Sequence, residues 1–313
     1  MEPGVRVACC AMGTRFEIFI PGKSSPRRLA AAEAAIEEIQ FWHGRLSLFD
    51  RASFVSHINA HGFDRPNRVD GDIFELLSLC ERSRVESEGA FDIAVGAWMR
   101  ELGFREDAPS LGDDPAPVGP GFVLDPHART VQLTRRGTAL DFGAVAKGFA
   151  LDRAVAILRS ASIPSALLHG GTSSVVAIGS PPEAEGWAVG LDNSPWHVVL
   201  RDRALGVSSP FGRTVNAGAG KVGHIVDPRT GQSTPMDRSG VALAAVTAES
   251  AALADTWSTA AVVLGRLPAT SPEGVTALVL RNEPKAAAWI DGPDVDTFRS
   301  SGEWSMISEE GGA

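Results

Sequence analysis

Four short stretches of this chain carry side chains able to handle a phosphate, a metal or a proton. In residues 140–152, LDFGAVAKGFALD, Lys147 sits among Gly143, Ala144, Ala146 and Gly148, and a helical pattern with Ala150, Val155 and Leu158 follows. A helix start offers unpaired N–H groups and the positive end of a dipole, and small residues let a ligand approach the main chain. An anion site and an ordinary helix start with a solvated lysine both satisfy this pattern. The spacing G-x-x-x-x-G-K-[ST] of a P-loop is absent. In residues 223–231, GHIVDPRTG, Asp227-Pro228 and Thr230-Gly231 signal a turn, with His224 on the strand before it. That histidine is either a hairpin-corner residue or a general base, its ordinary pKa being about 6.5.

The third stretch, residues 248–265, AESAALADTWSTAAVVLG, has helical spacing. Asp255 and Thr259 stand four apart on one face, so a carboxylate and a hydroxyl lie side by side. Such hard oxygens suit Mg²⁺, and they equally suit hydrogen bonding within a half-buried helix. The fourth, residues 89–98, GAFDIAVGAW, places Phe91 and Asp92 just after a helix-ending Gly89, a corner that binds a ring or seals a core. The glycine-rich turns LLHGGTSSVV and SSPFGR are too short to specify chemistry.

The elements that must position these groups follow from periodicity. VRVACCAMGTRFEIFI reads as a half-buried strand with Phe16, Ile18 and Ile20 inward. Ser25-Pro26 starts a helix with Leu29, Ala32, Ile36 and Ile39 on one face, ending near Gly44. Asp70 caps another, carrying Ile73, Leu76, Leu77 and Cys80 and closed by Gly89. Leu140 and Phe142 flank Asp141 in a strand-like pattern. Residues 106–121, EDAPSLGDDPAPVGPG, read as a surface loop. From residue 129 short strands dominate (TVQLT, SALLHG, SSVVAIG, WAVGLD, HVVLRD, VTALVL), interrupted by helices over about 144–160 and 248–264. Long helices against sheets of mixed connection predict an α+β fold.

Of 313 residues, 44% are apolar and 21% charged, a composition that can bury a full core. The formal charge of −9 provides no basic field for nucleic acid. Cys9, Cys10 and Cys80 form neither a disulfide framework nor a metal-ligand spacing. No apolar run of membrane-spanning length and no signal-peptide pattern occurs, so a reducing cytoplasmic location is expected. Tyrosine is absent beside 14 Phe and 7 Trp, so a site that usually employs one must do without.

Taken in order, AMGTRFEI, LSLFDRASFVSHIN, GAFDIAVGAW, LDFGAVAKGFALD, LLHGGTSS, GHIVDPRTG and ADTWSTAAVVLG resemble the ApbE family, the FAD:protein FMN transferases, from about residue 7 to 290. The resemblance implies one ApbE-like domain over 1–313, α+β with mixed sheets and packed helices, and FAD in a cleft between two closely packed lobes. It implies a Mg²⁺-dependent enzyme that splits FAD, attaches FMN to a threonine of a target protein through a phosphoester and releases AMP. Some relatives mainly hydrolyse FAD to FMN and AMP, and a flavin-binding protein without turnover is the remaining alternative.

Matched position by position, Asp255, Thr259 and the carbonyl of Ala144 fall on the family's metal ligands, and Lys147 on an FAD contact. Met12, Phe49, Ala90, Phe91 and Asp92 match flavin-contacting positions, and His224 matches a histidine acting near the attacking hydroxyl. His224 is preferred over Asp227 as base for its pKa. Three departures stand out. Phe49 replaces a tyrosine and keeps the stacking face without the hydroxyl. Thr172 follows Gly170-Gly171 where an acid or amide is usual. Pro210 follows Ser208-Ser209 where the family has glycine, and proline has neither an N–H nor access to positive φ.

Overall fold

A computed structural model describes residues 3–106, 120–191, 194–217, 220–282 and 288–300. Most of the loop expected over 106–121 lies outside the described residues. The chain opens with β1 (Gly4–Ala11) and β2 (Thr14–Pro21), paired antiparallel with Ala11 opposite Thr14. Met12 and Gly13 between them have φ of 50° and 73°, the two positive values that a type I′ hairpin requires. The single strand expected here is therefore a hairpin. Phe16, Ile18 and Ile20 are buried as their alternation predicts, but methionine is an unusual residue at positive φ and concealed the turn.

Helix α1 (Pro26–Arg45) is capped by Ser25, whose Oγ accepts the Arg28 N–H at 3.3 Å. Its buried stripe is Ala31, Ala32, Ala35, Ile39 and Trp42; Leu29, expected inward, falls off the stripe's edge and is exposed. Helix α2 (Phe54–His61) was not evident in the sequence, being only two turns long. After β3 (Asn67–Arg68), α3 (Gly71–Glu86) starts on the Asp70 carboxylate and buries Ile73, Leu76, Leu77 and Cys80. Gly89, at φ 80°, donates its N–H to Arg84 O and turns the chain away. Short α4 (Gly96–Glu101) precedes β4 (Phe122–Asp125) and β5 (Thr130–Leu133), which join β3 in a three-stranded sheet.

Residues 140–142 are not a strand. Leu140 and Phe142 are buried, but the main chain of Leu140 is paired by the side-chain amide of Asn59, at 2.7 and 3.0 Å, and Asp141 N–H donates to Ile93 O. A side chain thus supplies the bonds a neighbouring strand would, which reproduces a strand's burial without its ladder.

Helix α5 (Ala146–Ser160) leads to β6 (Ala166–Gly170), β7 (Ser174–Ile178), β8 (Trp187–Gly190), β9 (Trp196–Leu200) and β10 (Ala204–Ser208). Two small hairpins follow, β11 (Thr214–Ala217) with β12 (Gly220–Gly223) and β13 (Val226–Asp227) with β14 (Gln232–Ser233). The chain continues through β15 (Val241–Ala248), α6 (Ala251–Leu264), β16 (Thr276–Arg281), β17 (Ala288–Asp291) and β18 (Phe298–Ser300). An eight-stranded sheet of order β1-β2-β6-β7-β10-β15-β16-β17 is the frame. Its pairings are all antiparallel, so the mixture lies in the connections and not in strand direction.

One face of this sheet carries α5 and α6 and the larger core. The other face, with Val175, Ala177, Leu205 and Leu278, packs on Trp187, Trp196, Val198 and Phe298 of the three-stranded sheet β18-β9-β8. Covered on both faces, β7 is buried along its whole length, which is why its sequence SVVAI has no polar alternation.

Two glycines bring α6 unusually close. A Cβ on Gly206 of β10 would lie 2.4 Å from the Ala254 carbonyl group, and one on Gly148 of α5 would lie 2.2 Å from Ala251 O. Their missing side chains seat the helix directly on its neighbours' main chains.

Candidate active site

The site is assembled around α6. Ser250 caps it, its Oγ accepting the Leu253 N–H, while the Asp152 carboxylate, reaching across from α5, accepts the N–H groups of Ala251 and Ala252 at 2.8 and 2.9 Å. Burial pushes the Asp152 carboxyl up to about 6, in spite of these bonds. One turn further on, Asp255 is only 5% exposed. Its carboxylate accepts Ser174 Oγ–H at 2.8 and 2.9 Å and the Gly148 N–H at 2.8 Å. Burial pushes it up to about 7, against the charge of Lys147 and the bonds from Ser174 and Gly148. A carboxylate so placed has fewer compensating charges than its burial demands, which is the electrostatic condition for a bound cation.

Thr259 follows on the same face. Its hydroxyl donates to Asp255 O at 3.2 Å and lies 3.3 Å from Ser208 Oγ. Asp255, Thr259 and Ala144 line one cavity, and a carboxylate, a hydroxyl and a main-chain carbonyl are oxygens of the kind Mg²⁺ accepts while keeping water and phosphate oxygens for its other positions. The residues present therefore fit that ion. Among the described residues no group of three or more His, Cys, Asp or Glu side chains could hold a metal, a pattern that a site with a single carboxylate does not need.

His224 stands just beyond β12. Its Nδ1 lies 3.2 Å from Arg213 O, and a carbonyl only accepts, so Nδ1 carries the proton and Nε2 keeps its lone pair. Burial lowers its pKa, and the positive charges of Lys147 and Arg213 act in the same direction. The ring is thus neutral near pH 7 and able to take a proton. Asp227 is differently placed: burial alone would raise its carboxyl, but bonds of 2.8 and 2.7 Å from Arg229 outweigh this and hold it low.

A single cavity of about 970 Å³ joins these groups. Ala144, Lys147, His224, Asp255 and Thr259 all line it, and so do Met12, Ala90, Phe91 and Asp92. The Asp92 carboxyl is raised by burial, although its Oδ1 accepts the Ala94 N–H. Phe49 is not brought into the lining. It is 78% exposed, with the guanidinium of Arg105 5.0 Å from its ring centre. Residues that sequence reasoning passed over also line the cavity. Ser173, Ser208 and Ser209 belong to the turns set aside as too short, and Arg105, which pairs with Asp141, carried no local signal; Thr172, noted above only as a departure from the family pattern, lines it too. Ser174, which orients Asp255, closes one of those turns; only its distance to α6 in three dimensions reveals its task.

The model of the ApbE family matches residues 12–278. The chain belongs to the ApbE family. It is 34% identical over 215 residues to the FAD:protein FMN transferase of Rhodobacter capsulatus, a match covering 63% of this chain and 39% of that protein. This chain thus spans well under half of that relative. To the FAD:protein FMN transferase of Treponema pallidum it is 29% identical over 274 residues, covering 77% of this chain and 74% of the other. Among solved structures, the ApbE protein of Thermotoga maritima superposes with a TM-score of 0.76 at 23% identity, covering 94% of this chain and 98% of that one. The flavinyl transferase ApbE of Pseudomonas stutzeri gives 0.75 at 19% identity, covering 94% and 96%. These likenesses establish the α+β ApbE fold. Among the described residues, no helix is long and apolar enough to cross a membrane.

Proposed function

We propose that this ApbE-family chain is a Mg²⁺-dependent FAD:protein FMN transferase, a single domain over 1–313 acting on FAD and a flavin-accepting protein. The observation that carries the reading is the buried Asp255 carboxylate, oriented by Ser174 and Gly148 in the same cavity wall as Lys147 and His224. The names of the relatives supply the substrate pair. A reducing, cytoplasmic setting agrees with the free Cys9, Cys10 and Cys80.

In this reading Asp255, Thr259 and the Ala144 carbonyl hold Mg²⁺, which when bound neutralises pyrophosphate oxygens and polarises the phosphorus. Lys147 adds a positive charge beside those oxygens. His224 Nε2 accepts the proton of the target's threonine hydroxyl as that oxygen bonds to the FMN phosphorus. The bond from this phosphorus to the bridging oxygen breaks, and AMP departs with that oxygen and the bonding electrons. Met12, Ala90, Phe91 and Asp92 line the part of the cavity left for the flavin, with Phe49 at its edge.

The test is to incubate the protein with FAD, Mg²⁺ and a threonine-bearing acceptor protein and to weigh the acceptor. Gain of one FMN with release of AMP is expected. FMN and AMP released with no acceptor gaining mass would replace transfer by hydrolysis, and intact FAD after long incubation would leave a binding protein.

A further inference from the structure

We propose that Arg105 selects the flavin ring of the substrate, its Nη1 donating to a carbonyl oxygen of the isoalloxazine. This rests on the transferase reading for the identity of the ligand and adds a residue to its binding site. Arg105 lies just past α4 and lines the cavity, yet its side chain is only 9% exposed. Its Nε and Nη2 both donate to one oxygen of Asp141, at 3.2 and 3.0 Å, while the other Asp141 oxygen accepts the Gly143 N–H at 2.7 Å. Nη1 has no partner and no contact with solvent. A buried guanidinium nitrogen left without an acceptor is rare, because desolvation is uncompensated, and here it stands in the wall of a substrate cavity.

Two observations identify the acceptor. The first is charge. Asp141 balances Arg105, whereas Lys147, in the same cavity, forms no ion pair among the described residues. Phosphate oxygens are drawn to the lysine, whose charge acts on Asp255 without a close ion pair; a guanidinium neutralised by direct pairing suits an uncharged carbonyl. The second is shape. Phe49 lies over the guanidinium with its ring centre 5.0 Å from Cζ while remaining 78% exposed. So lightly held, the ring can move off Arg105 and cover a planar ligand that takes the free donor.

FAD and ADP share the pyrophosphate and differ in the flavin, so their affinities separate the two halves of the site. Binding to wild type, Arg105→Lys and Arg105→Met is measured without Mg²⁺, by flavin fluorescence for FAD and calorimetry for ADP. The lysine variant keeps a charge for Asp141 and so keeps the fold. Both variants are expected to bind FAD roughly tenfold more weakly, the loss of about one hydrogen bond, with ADP within about twofold of wild type. The visible absorption band of bound FAD should also shift. If FAD and ADP weaken equally, Arg105 serves the phosphates or only the fold, and the assignment is overturned. It is overturned as well if neither ligand responds. Should wild type bind no FAD at all, the transferase reading fails first, whatever the Arg105 variants do.

Discussion

The Asp255 carboxylate accepts the main-chain N–H of Gly148 at 2.8 Å, and the same glycine leaves no room for a Cβ against Ala251 O, which would stand 2.2 Å away. One position in α5 therefore sets both the spacing of two helices and the orientation of the candidate metal ligand.

Gly148→Ala should destabilise the fold heavily. The added methyl meets a main-chain carbonyl and not a flexible side chain, so the helices must separate, at a cost of about 1–3 kcal/mol or more. Urea unfolding measures this directly. An alanine variant as stable as wild type would show that the two helices slide freely.

Asp255→Asn should keep the fold and lose turnover. The amide oxygen still accepts the Gly148 N–H, but the charge proposed to hold Mg²⁺ is gone. FMN-transfer activity is expected to fall by at least about a hundredfold at any accessible Mg²⁺ concentration. Ser174→Ala is the milder companion: it removes a hydroxyl orienting both carboxylate oxygens, and should raise the Mg²⁺ requirement by roughly tenfold to a hundredfold with little loss of maximal rate. Initial rates against Mg²⁺ concentration distinguish the two.

His224→Gln should slow transfer by about 10²–10⁴-fold while FAD affinity is held. Burial, Lys147 and Arg213 lower the pKa of His224, so its neutral base form persists to pH values below the ordinary 6.5. The wild-type rate should therefore rise with pH along an acid limb lying below 6.5 and flatten above it. The limb should vanish in the glutamine variant; its survival there would assign the base to another group.

Asp152 predicts a pH dependence of stability. Its folded-state pKa of about 6 is above the ordinary carboxyl value of 3.8, so between these values the folded chain binds more protons than the unfolded one. Its contribution is fully present below about pH 4 and is lost as pH rises through about 6, a change on the order of 2 kcal/mol after allowance for the edge that solvent reaches. Asp152→Asn should lose one capping bond at every pH and lack this slope. Unfolding free energies of the two proteins across pH 4–7 give the difference; a constant offset would mean that Asp152 titrates normally.

Periodicity revealed α1, α3 and α5 through a buried apolar face, and α6, buried on nearly every side, was legible by its apolar length; turns punctuated several of the short strands after residue 129. Among the strands that periodicity missed are β10, β17, β18 and β15, the last with a sequence VALAAVTA that is rich in alanine and takes its strand conformation from neighbours on both sides. The residues lining the cavity were legible where a motif fixed their spacing, as with Lys147, Asp255 and Thr259. They were silent where partners met only in space. Arg105 and Asp141 are 36 positions apart, and Ser174 and Asp255 are 81, so no local window contains either pair.

The capping of α6 by Asp152 bears on how such a chain can be recombined. Lys147 faces the cavity, while Gly148 and Asp152, on the same helix, are committed to the main chain and carboxylate of α6. A chimera that imported α6 alone would bring an N-terminus needing an acid at 152 and a carboxylate needing the amide at 148. The two helices form one exchangeable cassette, which carries Lys147 into the cavity with it.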